Sequence, residues 1–293
     1  MIQGSIVALV TPFDRRGRVD EEKLRFLINW HIKNKTDGIL VCGTTGESAT
    51  LSFAEHKRVI KIAKEEVRQH IPLVAGCGSN STQEAIELTS YAHSLKVDAA
   101  LVITPYYNKP TQAGLYAHYK TIATQIKIPL IVYNVPSRTG INILPQTTAR
   151  LYRDFPNIIG IKEASGSLDQ ITRLMNLVDR KFILLSGSDE ITLPILSVGG
   201  RGVVSVVANI MPQQTHDLVK SFLQGKLDKA RKLQLYLYPL IKSLFIETNP
   251  IPVKTSLALM GLISPYLRLP LCKMQQDNLK KLKKILKEYR LVK

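Results

Sequence analysis

The chain has 293 residues, 45% hydrophobic and 22% charged, with a formal net charge of +17. This is the composition of a soluble globular protein, long enough for one large α/β barrel or two ordinary domains. No apolar run approaches the roughly 18 residues of a membrane span, Met1-Ile2-Gln3-Gly4-Ser5-Ile6 lacks the marks of a secretory signal, and Cys42, Cys77 and Cys272 have no CxxC spacing. A cytosolic protein with buried thiols, no membrane association and no structural zinc is expected.

Strand-like runs begin at residues 5, 38, 72, 98, 129, 157, 181 and 202. They are read as strands 5–10, 38–41, 72–75, 98–103, 129–133, 157–162, 181–186 and 202–206. Successive starts lie 21 to 34 residues apart, room for one helix and two loops each, the size of a βα unit. Runs such as Ala99-Ala100-Leu101-Val102-Ile103 are apolar at every position, as parallel strands covered on both faces should be.

The segments between read as helices. Leu24, Leu27, Ile28 and His31 follow the spacing of one helical face. Ser52 with Glu55, Ser81 with Glu84 and Ser167 with Gln170 each form the sequence pattern of a capping box, and Pro145 suits a first helical position. Eight strands alternating with helices predict a (β/α)₈ barrel over residues 1–224, with an open doubly wound sheet as the competitor. No GxGxxG follows the first strand, which weakens the competitor's dinucleotide-binding form. Residues 225–293 predict a C-terminal helical extension on the barrel, with helices at 227–247, 252–261 and 273–289. Pro239 should kink or interrupt the first of these. Leu279, Leu282, Ile285, Leu286 and Tyr289 make the last an amphipathic helix whose lysines face solvent. Much of the positive charge is thereby read as a solvated surface rather than a nucleic-acid site.

Active sites of such barrels form where strands end and βα loops begin. Lys162 closes the apolar run Ile158-Ile159-Gly160-Ile161. Desolvation there favours the neutral amine, which can attack a ketone and form an imine. An ion pair with Glu163, or a lysine snorkelling outward, fits its position equally well. Tyr133 ends the neighbouring strand as a proton relay or an ordinary half-buried tyrosine. Gly43-Thr44-Thr45-Gly46 offers amides and hydroxyls to a carboxylate, or is a plain tight turn. All six histidines fall in predicted helices or at their ends, so no metal site is expected.

Taken together, several segments resemble one family. They are Gly4-Ser5-Ile6-Val7-Ala8-Leu9-Val10-Thr11-Pro12, Gly43-Thr44-Thr45-Gly46-Glu47-Ser48-Ala49-Thr50-Leu51, Thr104-Pro105-Tyr106-Tyr107-Asn108, Tyr133-Asn134-Val135-Pro136-Ser137-Arg138-Thr139-Gly140, Ile158-Ile159-Gly160-Ile161-Lys162-Glu163-Ala164 and Asn249-Pro250-Ile251-Pro252-Val253-Lys254. In that order, over nearly the whole chain, they resemble the 4-hydroxy-tetrahydrodipicolinate synthase family.

The resemblance implies condensation of pyruvate with L-aspartate 4-semialdehyde through an imine on Lys162, in diaminopimelate and L-lysine biosynthesis. It further implies a proton relay of Tyr133, Thr44 and Tyr107, with Tyr107 reaching in from a neighbouring subunit of a homotetramer built from two tight dimers. Thr45 and Val204 would hold pyruvate, Gly187 would line the pocket, and no cofactor or metal would be needed. Arg138 would receive the semialdehyde carboxylate, a task suited to its planar fork. That residue argues against the wider superfamily's other pyruvate aldolases, such as N-acetylneuraminate and 2-keto-3-deoxy-sugar lyases. Feedback inhibition by L-lysine would use Ser48, Ala49, His56, Asn80, Glu84 and Tyr106, with Phe53 replacing the family's second histidine. Glu84 also reads as the capping partner of Ser81.

Overall fold

A computed structural model describes residues 2–293. Its strands are β1 (Gly4–Ala8), β2 (Gly38–Val41), β3 (Leu73–Gly76), β4 (Ala99–Ile103), β5 (Leu130–Asn134), β6 (Ile158–Glu163), β7 (Ile183–Ser186) and β8 (Gly202–Ser205). They pair in parallel in chain order, and β8 returns to β1 from Gly4↔Gly202 to Val7↔Ser205, closing the barrel. This closure removes the open-sheet alternative. At the seam the backbones approach closely: a Cβ on Gly202 would stand 2.1 Å from the Gly4 carbonyl oxygen.

The strands bury both faces, so two cores form. Ile6, Ala8, Leu40, Val74, Leu101, Ile131, Leu185 and Val204 fill the barrel interior. The alternate residues Val7, Ile39, Val41, Ala75, Val102, Val132, Ile161 and Leu184 meet the surrounding helices. Each fully buried Leu or Ile contributes about 1.5–3 kcal/mol. The helix Glu21–Lys33 buries the expected Leu24, Leu27, Ile28 and His31.

The strand limits move by one or two residues for identifiable reasons. β1 ends at Ala8 rather than at residue 10, because the Val10 amide donates to Asn209 Oδ1 (3.2 Å) instead of to a strand. β5 and β6 each run one residue further, because Asn134 and Glu163 pair on the outer face. β7 begins at Ile183, since the Lys181 amide donates to Asp179 Oδ1 (2.7 Å) in the preceding turn. The Ser52–Glu55 capping box forms in full, and Pro145 opens its helix.

The other two boxes form by half. Ser81 and Ser167 cap their helices, but Ser79 Oγ and Ser165 Oγ accept from the cap amides in place of Glu84 and Gln170.

Beyond the barrel run helices Leu227–Ser243, Ile251–Leu259 and Gln276–Glu288. The first packs on Pro212–Leu223 and passes uninterrupted through Pro239. Pro239 and Leu235 are both exposed, so the Leu235 carbonyl that Pro239 cannot bond lies on the solvent side of the helix. Leu282 and Leu286 dock the last helix, as its amphipathic pattern requires. Cys42 and Cys77 are buried, whereas Cys272, expected to be buried, is exposed in the irregular stretch that precedes the last helix. Among the described residues no helix is long and apolar enough to cross a membrane.

Candidate active site

Lys162 and Tyr133 are register partners at the ends of β6 and β5. Strand alternation turns Ile161 towards the helices and Lys162 into the barrel, where it is 6% exposed. Its Nζ lies 4.0 Å from the centre of the Tyr133 ring, a cation–π distance. Glu163 faces the other way. Its carboxylate accepts from Asn134 Nδ2 (3.1 and 3.2 Å) and the Ser165 amide (2.6 Å). The ion-pair and snorkelling readings of Lys162 therefore fall, and its side chain stays inside the barrel against Tyr133.

Gly187 borders this lysine. Its amide donates to the Glu163 carbonyl (2.7 Å). A Cβ there would stand 2.7 Å from Ala164 Cβ and 3.2 Å from Lys162 Cε. Val204 belongs to the same interior cluster as Tyr133. Beside them lies Asp189, buried, accepting from the amides of Val206 (2.8 Å) and Val207 (3.0 Å). Burial raises its pKa, against the opposing effects of the Ser205 hydroxyl, these amides and the Lys162 charge.

The Gly43–Gly46 segment is a turn with more than local support. The Glu47 amide donates to the Thr44 carbonyl (3.0 Å), and Thr11 Oγ1 donates to the Gly46 carbonyl (2.6 Å). Asn249 Nδ2 donates to Thr45 Oγ1 (2.9 Å). In this contact the Thr45 hydroxyl is the acceptor, and it keeps its own proton to donate. Glu47, in a left-handed conformation, pairs with Lys254 at 2.6 Å, both side chains wholly buried. Burial pushes the Lys254 pKa down to about 8, against the pull of Glu47. Arg268 ties down the following residues, donating to the carbonyls of Gly17 (2.9 Å) and Thr50 (2.7 Å) and pairing with Glu55. These C-terminal contacts have no counterpart in the local sequence pattern. Asn249 and Lys254 stood only within a family-like segment, without a role.

Above the turn opens a cavity of about 420 Å³. Thr44, Arg138 and Asn249 line it, together with Ser48, Ala49, Phe53, His56, Glu84 and Tyr106. Arg138, on the short helix Pro136–Thr139, donates from Nη2 to the Asn249 carbonyl (3.2 Å). Glu84 accepts from Ser79 Oγ (2.6 Å), so its carboxylate serves the cavity wall and not the cap of its helix. His56 Nε2 donates to the Gly76 carbonyl (2.7 Å), and burial lowers its pKa, leaving a neutral ring with Nδ1 as an acceptor.

The other expected residues stand apart from this wall. Asn80 offers its carbonyl to Asn108 Nδ2 (2.9 Å). Lys162 and Tyr133 lie within the barrel mouth, outside the residues that line the cavity. Tyr107 also stands away. It is 87% exposed on a backbone with φ of 72°. Among the described residues no group of three or more His, Cys, Asp and Glu is arranged to hold a metal ion.

The profile of the dihydrodipicolinate synthetase family matches residues 1–289. The chain is 54% identical to the 4-hydroxy-tetrahydrodipicolinate synthase of Geobacter sp. (strain M21) over 292 residues, covering 100% of both chains. Among solved structures it is similar to the chloride-inhibited dihydrodipicolinate synthase from Acinetobacter baumannii complexed with pyruvate, with 44% identity, a TM-score of 0.97 and 100% of each chain covered. It is similar also to the enzyme from Cyanidioschyzon merolae with lysine bound, with 38% identity, a TM-score of 0.96 and 99% of each chain covered.

Proposed function

The chain belongs to the dihydrodipicolinate synthetase family, and we propose that it condenses pyruvate with L-aspartate 4-semialdehyde to give 4-hydroxy-tetrahydrodipicolinate, a step towards diaminopimelate and L-lysine. The observation that carries this reading is Lys162, buried at the barrel mouth against Tyr133 with Glu163 turned away. Its amine attacks the pyruvate ketone and, on loss of water, forms an imine. Loss of a proton from the methyl carbon then gives an enamine. The enamine carbon attacks the semialdehyde's aldehyde, and the substrate's own amine displaces Lys162 and closes the ring.

Tyr133 and Thr44 move the protons, Thr45 and Val204 hold pyruvate, and Gly187 keeps room beside the lysine. Arg138, in the cavity wall beside Asn249, binds the semialdehyde carboxylate. Wild-type protein offered L-aspartate 4-semialdehyde, N-acetylmannosamine and sugar-derived aldehydes in parallel should consume pyruvate fastest with the semialdehyde. Arg138→Leu should abolish that preference. Faster turnover of a sugar aldehyde by wild-type protein would overturn the assignment.

Tyr107 completes the relay in a neighbouring subunit of a homotetramer built from tight dimers. Its exposure on a left-handed backbone supports a role away from its own protomer. L-Lysine inhibits from the cavity lined by Ser48, Ala49, His56, Glu84 and Tyr106, with Asn80 at its edge. Phe53 supplies an aromatic face there but no polar contact, so inhibition is weaker than with histidine. The lysine bound to the Cyanidioschyzon merolae enzyme supports this reading. The exposed free thiol of Cys272 is in keeping with a reducing, cytosolic compartment.

A further inference from the structure

Two buried links reach the Gly43–Glu47 turn from residues more than 200 positions away. Asn249 Nδ2 donates to Thr45 Oγ1 at 2.9 Å, and Lys254 Nζ pairs with Glu47 Oε1 at 2.6 Å. Both come from one short stretch, the entry and first turn of the helix Ile251–Leu259. Asn249 has a second attachment, since its main-chain carbonyl accepts from Arg138 Nη2 at 3.2 Å. One residue thus touches both the turn and the arginine of the cavity wall.

We propose that Asn249 is a positioning residue that orients the Thr45 hydroxyl towards the pyruvate carboxylate and sets Arg138 beside it, with Lys254 clamping the same turn through Glu47. The inference rests on the pyruvate site assigned above and extends it into the C-terminal segment. Asn249 acts by hydrogen-bond direction. Because its amide N–H fills a lone pair of Thr45 Oγ1, the hydroxyl proton points elsewhere, and a substrate carboxylate is the acceptor it meets. Asn249 does not contact the reacting atoms, so its removal acts on pyruvate binding more than on chemistry.

Initial-rate kinetics with both substrates test this. Asn249→Ala removes the side chain and keeps the carbonyl that serves Arg138. The Michaelis constant for pyruvate should rise about tenfold, the equivalent of one hydrogen bond to a charged network. The constant for the semialdehyde should stay within about twofold, and kcat within about threefold, as expected when a ground-state binding contact is lost.

Asn249→Asp keeps the shape, so folding is retained. Its carboxylate would capture the Thr45 proton and repel pyruvate, so this variant should bind pyruvate worse than Asn249→Ala. Thr45→Val combined with Asn249→Ala should be no worse for pyruvate than Thr45→Val alone, because Asn249 acts through Thr45.

An unchanged pyruvate constant in Asn249→Ala, or fully additive effects in the double variant, overturns the proposal while wild-type turnover leaves the function standing. Absence of wild-type turnover would instead count against the function itself. A lowered melting temperature with unchanged pyruvate binding would mark Asn249 as merely structural, which also overturns it.

Discussion

Lys254→Met should destabilise the protein far more than the loss of one surface charge. The lysine side chain is 0% exposed, its nitrogen lies 2.6 Å from Glu47 Oε1, and it sits 4.2 Å from the Phe13 ring centre. Removing it strands a buried carboxylate whose remaining hydrogen bond comes from the Arg268 amide at 3.2 Å. Breaking one side of such a pair costs about 3–5 kcal/mol. Glu47→Gln is milder, about 1–3 kcal/mol, because the amide oxygen still accepts from the lysine. Burial already pushes the Lys254 pKa down to about 8, so without its partner the lysine sheds its proton readily. Replacing both residues leaves no stranded charge, and the double variant should be more stable than Lys254→Met alone. Thermal unfolding at one fixed protein concentration reads this out, because assembly also shifts the midpoint. At about 2–4 °C per kcal/mol for a large domain, Lys254→Met should melt roughly 10 °C below wild type. A shift under about 2 °C, or a double variant less stable than Lys254→Met, would refute the reasoning.

Three further outcomes follow from individual side chains. His31 and His118 are buried, and burial lowers their pKa values to about 3 and about 4. Both lie below the unfolded value near 6.5, so the unfolded chain gains protons first as pH falls, and stability declines from pH 6.5 downward. At pH 5 each histidine should cost about 2 kcal/mol, and a flat melting temperature between pH 7.5 and pH 5 would contradict this. Gly187→Ala places a methyl 3.2 Å from Lys162 Cε and 2.7 Å from Ala164 Cβ. It should slow turnover about tenfold or more by displacing the lysine, and unchanged kcat would remove Gly187 from the site. Phe53→His restores a polar group to the cavity wall, and inhibition assays should show half-inhibition at about fivefold less L-lysine, one hydrogen bond's worth. No change in the inhibition curve would move the lysine site elsewhere.

The barrel was legible because its strands are apolar on both faces and evenly spaced, a pattern that survives errors in individual limits. Lys162 was legible as a charged residue at the end of such a strand. Its direction was not, since that depends on the register that sends Ile161 outward and Lys162 inward. The half-formed capping boxes show a similar limit. Ser79, two residues before the cap, takes both the Ser81 amide and the Glu84 carboxylate, freeing Glu84 for the cavity. Asn249 and Lys254 were hidden for a different reason. Their partners lie 204 and 207 residues away, and no local period records such a contact.

Borohydride reduction in the presence of pyruvate, followed by intact mass and peptide mapping, tests the central claim most directly. Lys162 should carry a single pyruvate-derived adduct, and Lys162→Ala should fold normally and carry none. An adduct on another lysine, or none on wild-type protein, would contradict the imine mechanism at the barrel mouth.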